Sequence, residues 1–340
     1  MAQEISTKIK RERLDWVDYT KGVGIFLVVV GHVLQGLVKS SVLEESAPIV
    51  FVDRWIYAFH MPLFFFVSGL FVQRSLSKPL KNFVLDKVYV IAYPYFVWSL
   101  IQSLLQLFIS RYTNQPVSPA DILKITYQPY QQFWFLYTLF VILLAYGILH
   151  KLRISPAIFL SLSALLYISY CFDVSIGLWG VLYLVRRYAI YFALGLMFGM
   201  SSWLTGITKT KLFPLLLTTV VGYLAIGLAV LLQLTENTIA IFFIAIIGIA
   251  ASVALSVLLQ KFNRFHFAKQ WGVFSLEIFV AHIITASSVR ILLQKLFGIS
   301  EPVTHFLLGS AVGIYGPIVL SMICSRLEFQ YMFKLRPLKT

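Results

Sequence analysis

Charge is scarce in this chain. Only 12% of its 340 residues are Asp, Glu, Lys or Arg, where a soluble domain carries about 25%. With 59% hydrophobic residues and a mean hydropathy of +0.83, it cannot hide its apolar surface from water, which excludes a soluble globule and requires an integral membrane protein with several spans. Alternating short strands are also lacking. The apolar runs are continuous over roughly 17–25 residues, so the spans are helical and not those of a barrel. Cysteine is nearly absent: Cys171 and Cys324 fall near opposite ends of the membrane in the topology below, so they are expected to stay unpaired and to serve as packing residues. No small-x-small cleavage site follows the first apolar run, whose polar leader is about twenty residues long, so a retained first span is expected in place of a signal peptide. Internal repeats, low-complexity segments and a separate soluble domain are missing as well. The chain reads as a single membrane domain over 1–340, with a leader at 1–21 and a tail at 324–340.

Apolar runs between charge clusters give ten predicted spans, at 22–38, 52–72, 88–109, 132–149, 155–171, 187–200, 212–233, 238–259, 272–293 and 303–323. An even number puts both termini on one side. That side then carries 20 of the 28 Lys and Arg residues, and the excess of positive charge marks it as cytoplasmic. The net charge of +14 is therefore a topology signal, and no nucleic-acid partner is needed to explain it. Arg186 and Arg187 interrupt the run before the sixth span, so residues 174–186 are expected to lie along the outer interface or to re-enter the bundle.

Ionisable side chains within lipid cost several kcal/mol unless they face the protein interior or a wet cavity, which makes them functional candidates. His32, His60 and His282 each fall toward the middle third of a span. His150 and His266 sit among basic residues of the loops, and His305 begins the last span near the boundary, where burial costs little. Lys21 and His32 are eleven residues apart, which at 100° per residue is about 20° beyond three full turns, so both share one helix face about 16 Å apart. Asp18 lies close to the same line, and Gln35 and Lys39 extend it, giving the first span one polar seam. The competing reading makes Lys21 a snorkelling anchor and His32 an interhelical hydrogen bonder; it explains each residue but not their alignment. In the second span Asp53 and His60 are seven apart and share a face, with Tyr57 between them, and Pro62 is expected to bend the helix. In the ninth, Glu277 and His282 are about 140° apart around the helix, so they cannot both enter one narrow site; His282 has the better claim, and Glu277 is expected to be protonated or paired with a cation on another helix. Gly195 and Gly199 form a GxxxG that signals close packing.

The pattern Asp18-x-x-Lys21-x10-His32, followed by FHMPLFFFVSGLF at 59–71, resembles the membrane-bound acyltransferase-3 family, and within it the sugar O-acetylases of the fucose 4-O-acetylase type. PYFVW at 94–98 preceded by Lys87, FWFLYTLF at 133–140 and FSLEIFVAH at 274–282 continue the likeness in family order across essentially the whole chain. The resemblance implies an all-α polytopic bundle of about ten transmembrane helices in a bacterial inner membrane. It also implies transfer of an acyl group, most commonly acetyl, from cytoplasmic acetyl-CoA to a hydroxyl of a surface glycan or lipid-linked sugar. His32 matches the family's essential first-span histidine. Lys21 stands where many members have arginine, which weakens any role that needs a bidentate guanidinium. Lys87 is followed by Val90 where many members have a second basic residue, so that donor contact is missing or supplied by Arg74, Lys78 or Lys81.

These residues give an expected mechanism. Lys21, Lys87 and neighbouring bases hold the CoA phosphates while the pantetheine arm follows the first-span seam to His32. His32 is the general base, since a histidine near its ordinary pKa suits proton transfer at neutral pH. His60 or His282 orients the acceptor or stabilises the oxyanion, and Asp18, Asp53 and Glu277 orient their neighbours. No serine or cysteine is placed as a nucleophile and no metal ligand set is read, so direct transfer is favoured, with an acyl-His32 intermediate as the alternative. Two other classes stand beside the transferase: a polysaccharide exporter, which would also use intramembrane ionisable residues but shows no repeat symmetry, and an inactive scaffold of a glycan-assembly complex.

Overall fold

The computed structural model describes residues 14–108, 118–174, 177 and 179–335. Among these there is no strand. Nine helical segments are long and apolar enough to cross a membrane: Asp15–Lys39, Ala47–Ser75, Leu80–Phe108, Gln131–Lys151, Val181–Met200, Leu212–Leu231, Ala240–Phe262, Ser275–Lys295 and Pro302–Arg326. The shorter apolar helix Pro156–Cys171 supplies a tenth, so each predicted span has its counterpart. The protein is an all-α polytopic membrane bundle.

Its first helix, α1 (Asp15–Lys39), packs against the second, eighth, ninth and tenth spans. The second span is broken into α2 (Ala47–Tyr57), α3 (His60–Gly69) and α4 (Val72–Ser75). The break at Ala58–Phe59 falls just where Pro62 demands it, because the proline ring lacks an N–H and collides with the carbonyl four residues back. Asp53 and His60 therefore sit on separate helices and not on one continuous helix. The third span runs through α5 (Leu80–Lys87), a π-turn at Val88–Ala92 and α6 (Tyr93–Phe108), with Pro94 just after the turn. The short α7 (Pro119–Lys124) precedes α8 (Trp134–Lys151) and α9 (Pro156–Cys171).

The sixth span corrects an expectation. α10 (Val181–Met200) passes straight through Arg186 and Arg187, which do not interrupt it. The reason is local: α9 gives them partners. Arg186 donates to the Ser169 carbonyl and, at 3.1 Å, to its hydroxyl, and the Arg187 guanidinium lies 5.8 Å from the Tyr170 ring centre and 5.3 Å from that of Tyr188. Of the segment before it, 175, 176 and 178 lie outside the described residues.

The remaining helices are α11 (Trp203–Gly206), α12 (Leu212–Leu231), α13 (Ala240–Phe262), α14 (His266–Val273), α15 (Ser275–Lys295) and α16 (Pro302–Arg326). Two glycine crossings fix the packing. A Cβ added at Gly195 would lie 1.9 Å from the Phe66 carbonyl oxygen and one at Gly199 2.0 Å from that of Leu70, so the GxxxG seats α10 directly on α3. A Cβ at Gly22 would lie 1.8 Å from the Ala268 oxygen, and one at Gly272 1.7 Å from that of Asp18, so α1 and α14 touch backbone to backbone.

The tail after α16 folds back into the bundle. Trp98 Nε1 donates to the Met332 carbonyl at 2.8 Å and the Tyr93 hydroxyl to that of Tyr331 at 2.7 Å, while the buried Phe333 ring lies 5.3 Å from Trp98. Lys334 then meets buried Glu277 at 3.6 Å. Glu277 has a cationic partner, as expected, but from the tail and not from another helix. Both cysteines are free.

Candidate functional site

The three intramembrane histidines converge from α1, α3 and α15. His32 has its ring centre 5.2 Å from that of His282, with the planes at 41°. Its other neighbour is Tyr57, edge-on at 6.2 Å, and Tyr57 in turn lies 4.7 Å from His60. Gly31 permits this approach, since a Cβ there would stand 3.1 Å from the Tyr57 ring.

The backbone fixes the protonation pattern of two of them. His282 is fully buried, and its Nδ1 lies 2.8 Å from the Phe279 carbonyl oxygen and 3.1 Å from that of Ile278. A carbonyl oxygen only accepts, so Nδ1 carries the proton and Nε2 keeps its lone pair. That Nε2 has no partner within the protein. His60 is held the same way, its Nδ1 donating to the Ile56 carbonyl at 2.8 Å. With its one N–H spent, neutral His282 offers the site a proton acceptor and not the donor that oxyanion stabilisation requires.

His32 and His282 line a cavity of about 400 Å³. It is enclosed by the second half of α1, the end of α6, the start of α8, the second half of α15 and the start of α16, so it lies toward the Lys39 end of α1. Gln35 and Lys39 continue the α1 wall as the seam reading expects, and Arg290, 8% exposed, completes the α15 wall. His60 is not part of the lining; its ring contact toward His32 runs through Tyr57. Asp53 stands behind Gln35 and accepts from its amide at 2.8 Å.

The basic residues expected to hold a donor lie apart from this cavity. Lys21 pairs with buried Asp18 at 3.0 Å, one turn from the Lys269–Asp15 pair at 2.7 Å. Lys87 stands 5.1 Å above the Phe83 ring on α5, Lys78 pairs with Asp86 at 2.6 Å, Arg74 lies 5.6 Å from the Phe71 ring centre, and Lys81 is exposed. Along α1 the face between Lys21 and His32 is filled by Ile25 and Val28, 0% and 1% exposed. The polar seam has both its ends, but its middle is apolar and packed shut.

Sequence reading missed half of the cavity wall. His305, dismissed as a boundary residue, is 1% exposed and lines the cavity. So do four glutamines joined amide to amide. Gln102 and Gln132 exchange bonds of 3.2 and 2.7 Å, Gln102 donates to Gln131 at 2.6 Å, and Gln131 donates to Gln106 at 3.0 Å. Tyr130 also donates to Gln106. A signal was available, since Gln102 and Gln106 share one face of an apolar run and uncharged amides within lipid also need partners.

The arrangement can take a proton from a hydroxyl in a half-open, partly polar cavity. A family model described as an acyltransferase domain matches residues 14–322. No curated protein and no solved structure matches the chain.

Proposed function

The chain belongs to this acyltransferase family, and on that premise we propose that it moves an acetyl group from cytoplasmic acetyl-CoA to a hydroxyl of a surface glycan or lipid-linked sugar, with both termini in the cytoplasm of a bacterial inner membrane. One observation carries the reading: His32 and His282, whose Nε2 has no partner within the protein, line the same cavity.

In this reading the acceptor occupies the cavity. His32 removes the proton as the hydroxyl oxygen attacks the thioester carbonyl carbon, and a new C–O bond forms. The tetrahedral intermediate collapses, the C–S bond breaks, and the imidazolium returns the proton to the departing CoA sulfur. His282 Nε2 accepts a hydrogen bond from His32 or from the acceptor and so sets the orientation of the base, while Tyr57 and His60 brace His32 from the other side. CoA approaches from the Lys21 end, where Lys21, Lys87, Arg74, Lys78 and Lys81 are the cations for its phosphates, and delivery of the thioester requires Ile25 and Val28 to move aside.

Mass spectrometry of the surface glycan from cells with and without the protein tests this. An alkali-labile acetyl ester that disappears with the protein supports the reading. Unmodified glycan that is merely lost from the surface supports export and overturns it.

A further inference from the structure

Within the cavity, His305 and the glutamine cluster have no part in the chemistry above. His305 belongs to the first turn of α16. Its Nε2 lies 2.9 Å from the Ile299 carbonyl oxygen, so that nitrogen carries the proton and Nδ1 keeps a lone pair. The ring is 1% exposed and Nδ1 has no partner within the protein. A buried acceptor of this kind calls for a hydrogen-bond donor from outside the chain, a water or a ligand hydroxyl that takes its place. The opposite wall offers amides already held in place by one another, with Gln102 and Gln132 only 2% and 5% exposed. Gln131, at the centre of that network, has a φ of +40°, a conformation that a non-glycine residue adopts at a cost and that recurs at functional positions. Trp134 adds an aromatic surface.

Height along the bundle relates these groups to His32. Gly309 packs on Val33, the neighbour of His32, with its would-be Cβ 3.3 Å from that side chain, and His305 lies four residues earlier on α16, about 6 Å nearer the Lys39 end. That is the reach of one sugar ring.

We propose, resting on the acyltransferase reading above, that His305 and the glutamine cluster are the acceptor subsite. It takes a polyol ring, with one hydroxyl at His32 and a second donating to His305 Nδ1, while the ring's other hydroxyls exchange bonds with Gln131 and its neighbours. A ligand with several O–H groups answers a wall that mixes lone pairs and amides, whereas an acceptor with a single hydroxyl leaves His305 unanswered.

The test uses the full chain in lipid nanodiscs with labelled acetyl-CoA, a panel of methyl pyranosides and the one-hydroxyl probe cyclohexanol. The His305→Ala change is expected to raise KM for the preferred sugar about tenfold, as loss of a buried hydrogen bond does. The kcat should stay within about threefold and acetyl-CoA hydrolysis should not change. Gln131→Ala carries the same expectation should His305→Ala not fold. Sugar KM values unmoved in both variants, or cyclohexanol used as well as the sugars, overturn the subsite while leaving the transferase standing. A wild-type protein that acetylates neither these acceptors nor the native glycan overturns the transferase reading, and the subsite with it.

Discussion

His32 and His282 stand with ring centres 5.2 Å apart, although α1 and α15 lie at opposite ends of the chain. The carbonyls of Phe279 and Ile278 hold the His282 proton on Nδ1, so what it presents to its surroundings is a lone pair. A base beside a fixed acceptor is a base whose orientation is set before substrate arrives.

Asparagine at position 282 should separate these two contributions. His282→Asn can keep the amide bond to the helix carbonyls but has nothing in place of Nε2. Transfer is expected to fall about 100-fold, the low end of what a positioned proton-transfer group contributes, with the melting temperature nearly unchanged. A loss of less than about threefold would show that Nε2 is not used.

The α1–α14 crossing has no room for a side chain. Gly22→Val places atoms inside the Ala268 backbone and should cost at least about 1–3 kcal/mol, as overpacking does. Thermal unfolding in detergent reads this directly; a variant as stable as the parent would contradict the crossing.

Removal of the Lys334 ammonium strands a carboxylate. Lys334→Ala leaves Glu277 buried without its cation. The expected cost is roughly 1–2 kcal/mol, less than for a fully buried pair because Lys334 is about one third exposed. Glu277→Gln in the same chain should recover most of it, and a double variant no more stable than Lys334→Ala would show that the pair does not hold the tail.

Acid should loosen the start of α16. Hydrogen bonds from Thr304 and from the Val303 amide hold the Glu301 carboxyl below its ordinary pKa. A depressed folded pKa stabilises the fold above the unfolded value, and the contribution is lost as pH falls through the folded one. The melting difference between the parent and Glu301→Gln should therefore be present at neutral pH, shrink once pH falls below the ordinary glutamate value of about 4.3, and be gone below the lowered folded one. A difference independent of pH would refute the cap.

The fold was legible in the sequence because lipid leaves few solutions: every predicted span has a helix, and the Lys21–His32 spacing placed His32, Gln35 and Lys39 on a common wall. What failed was whatever depended on neighbours. Arg186 and Arg187 looked like an interruption until α9 supplied an aromatic ring and a carbonyl, and the Asp53–His60 spacing assumed one continuous helix up to the bend expected at Pro62, whereas the break falls before His60. His305 looked cheap to bury from its place in the chain, yet its surroundings are set by a loop and a cavity that no periodicity encodes. The apolar plug at Ile25 and Val28 was present in KGVGIFLVVVGH all along, since the two residues lie on the face of Lys21 and His32; only packing showed that this face is closed.

The most direct measurement is transfer of labelled acetyl from acetyl-CoA to glycan by purified protein in nanodiscs, comparing the parent with His32→Ala after both are shown to be folded. The account predicts esterified glycan from the parent and a loss of at least about 100-fold in the variant. Full activity from folded His32→Ala would contradict it.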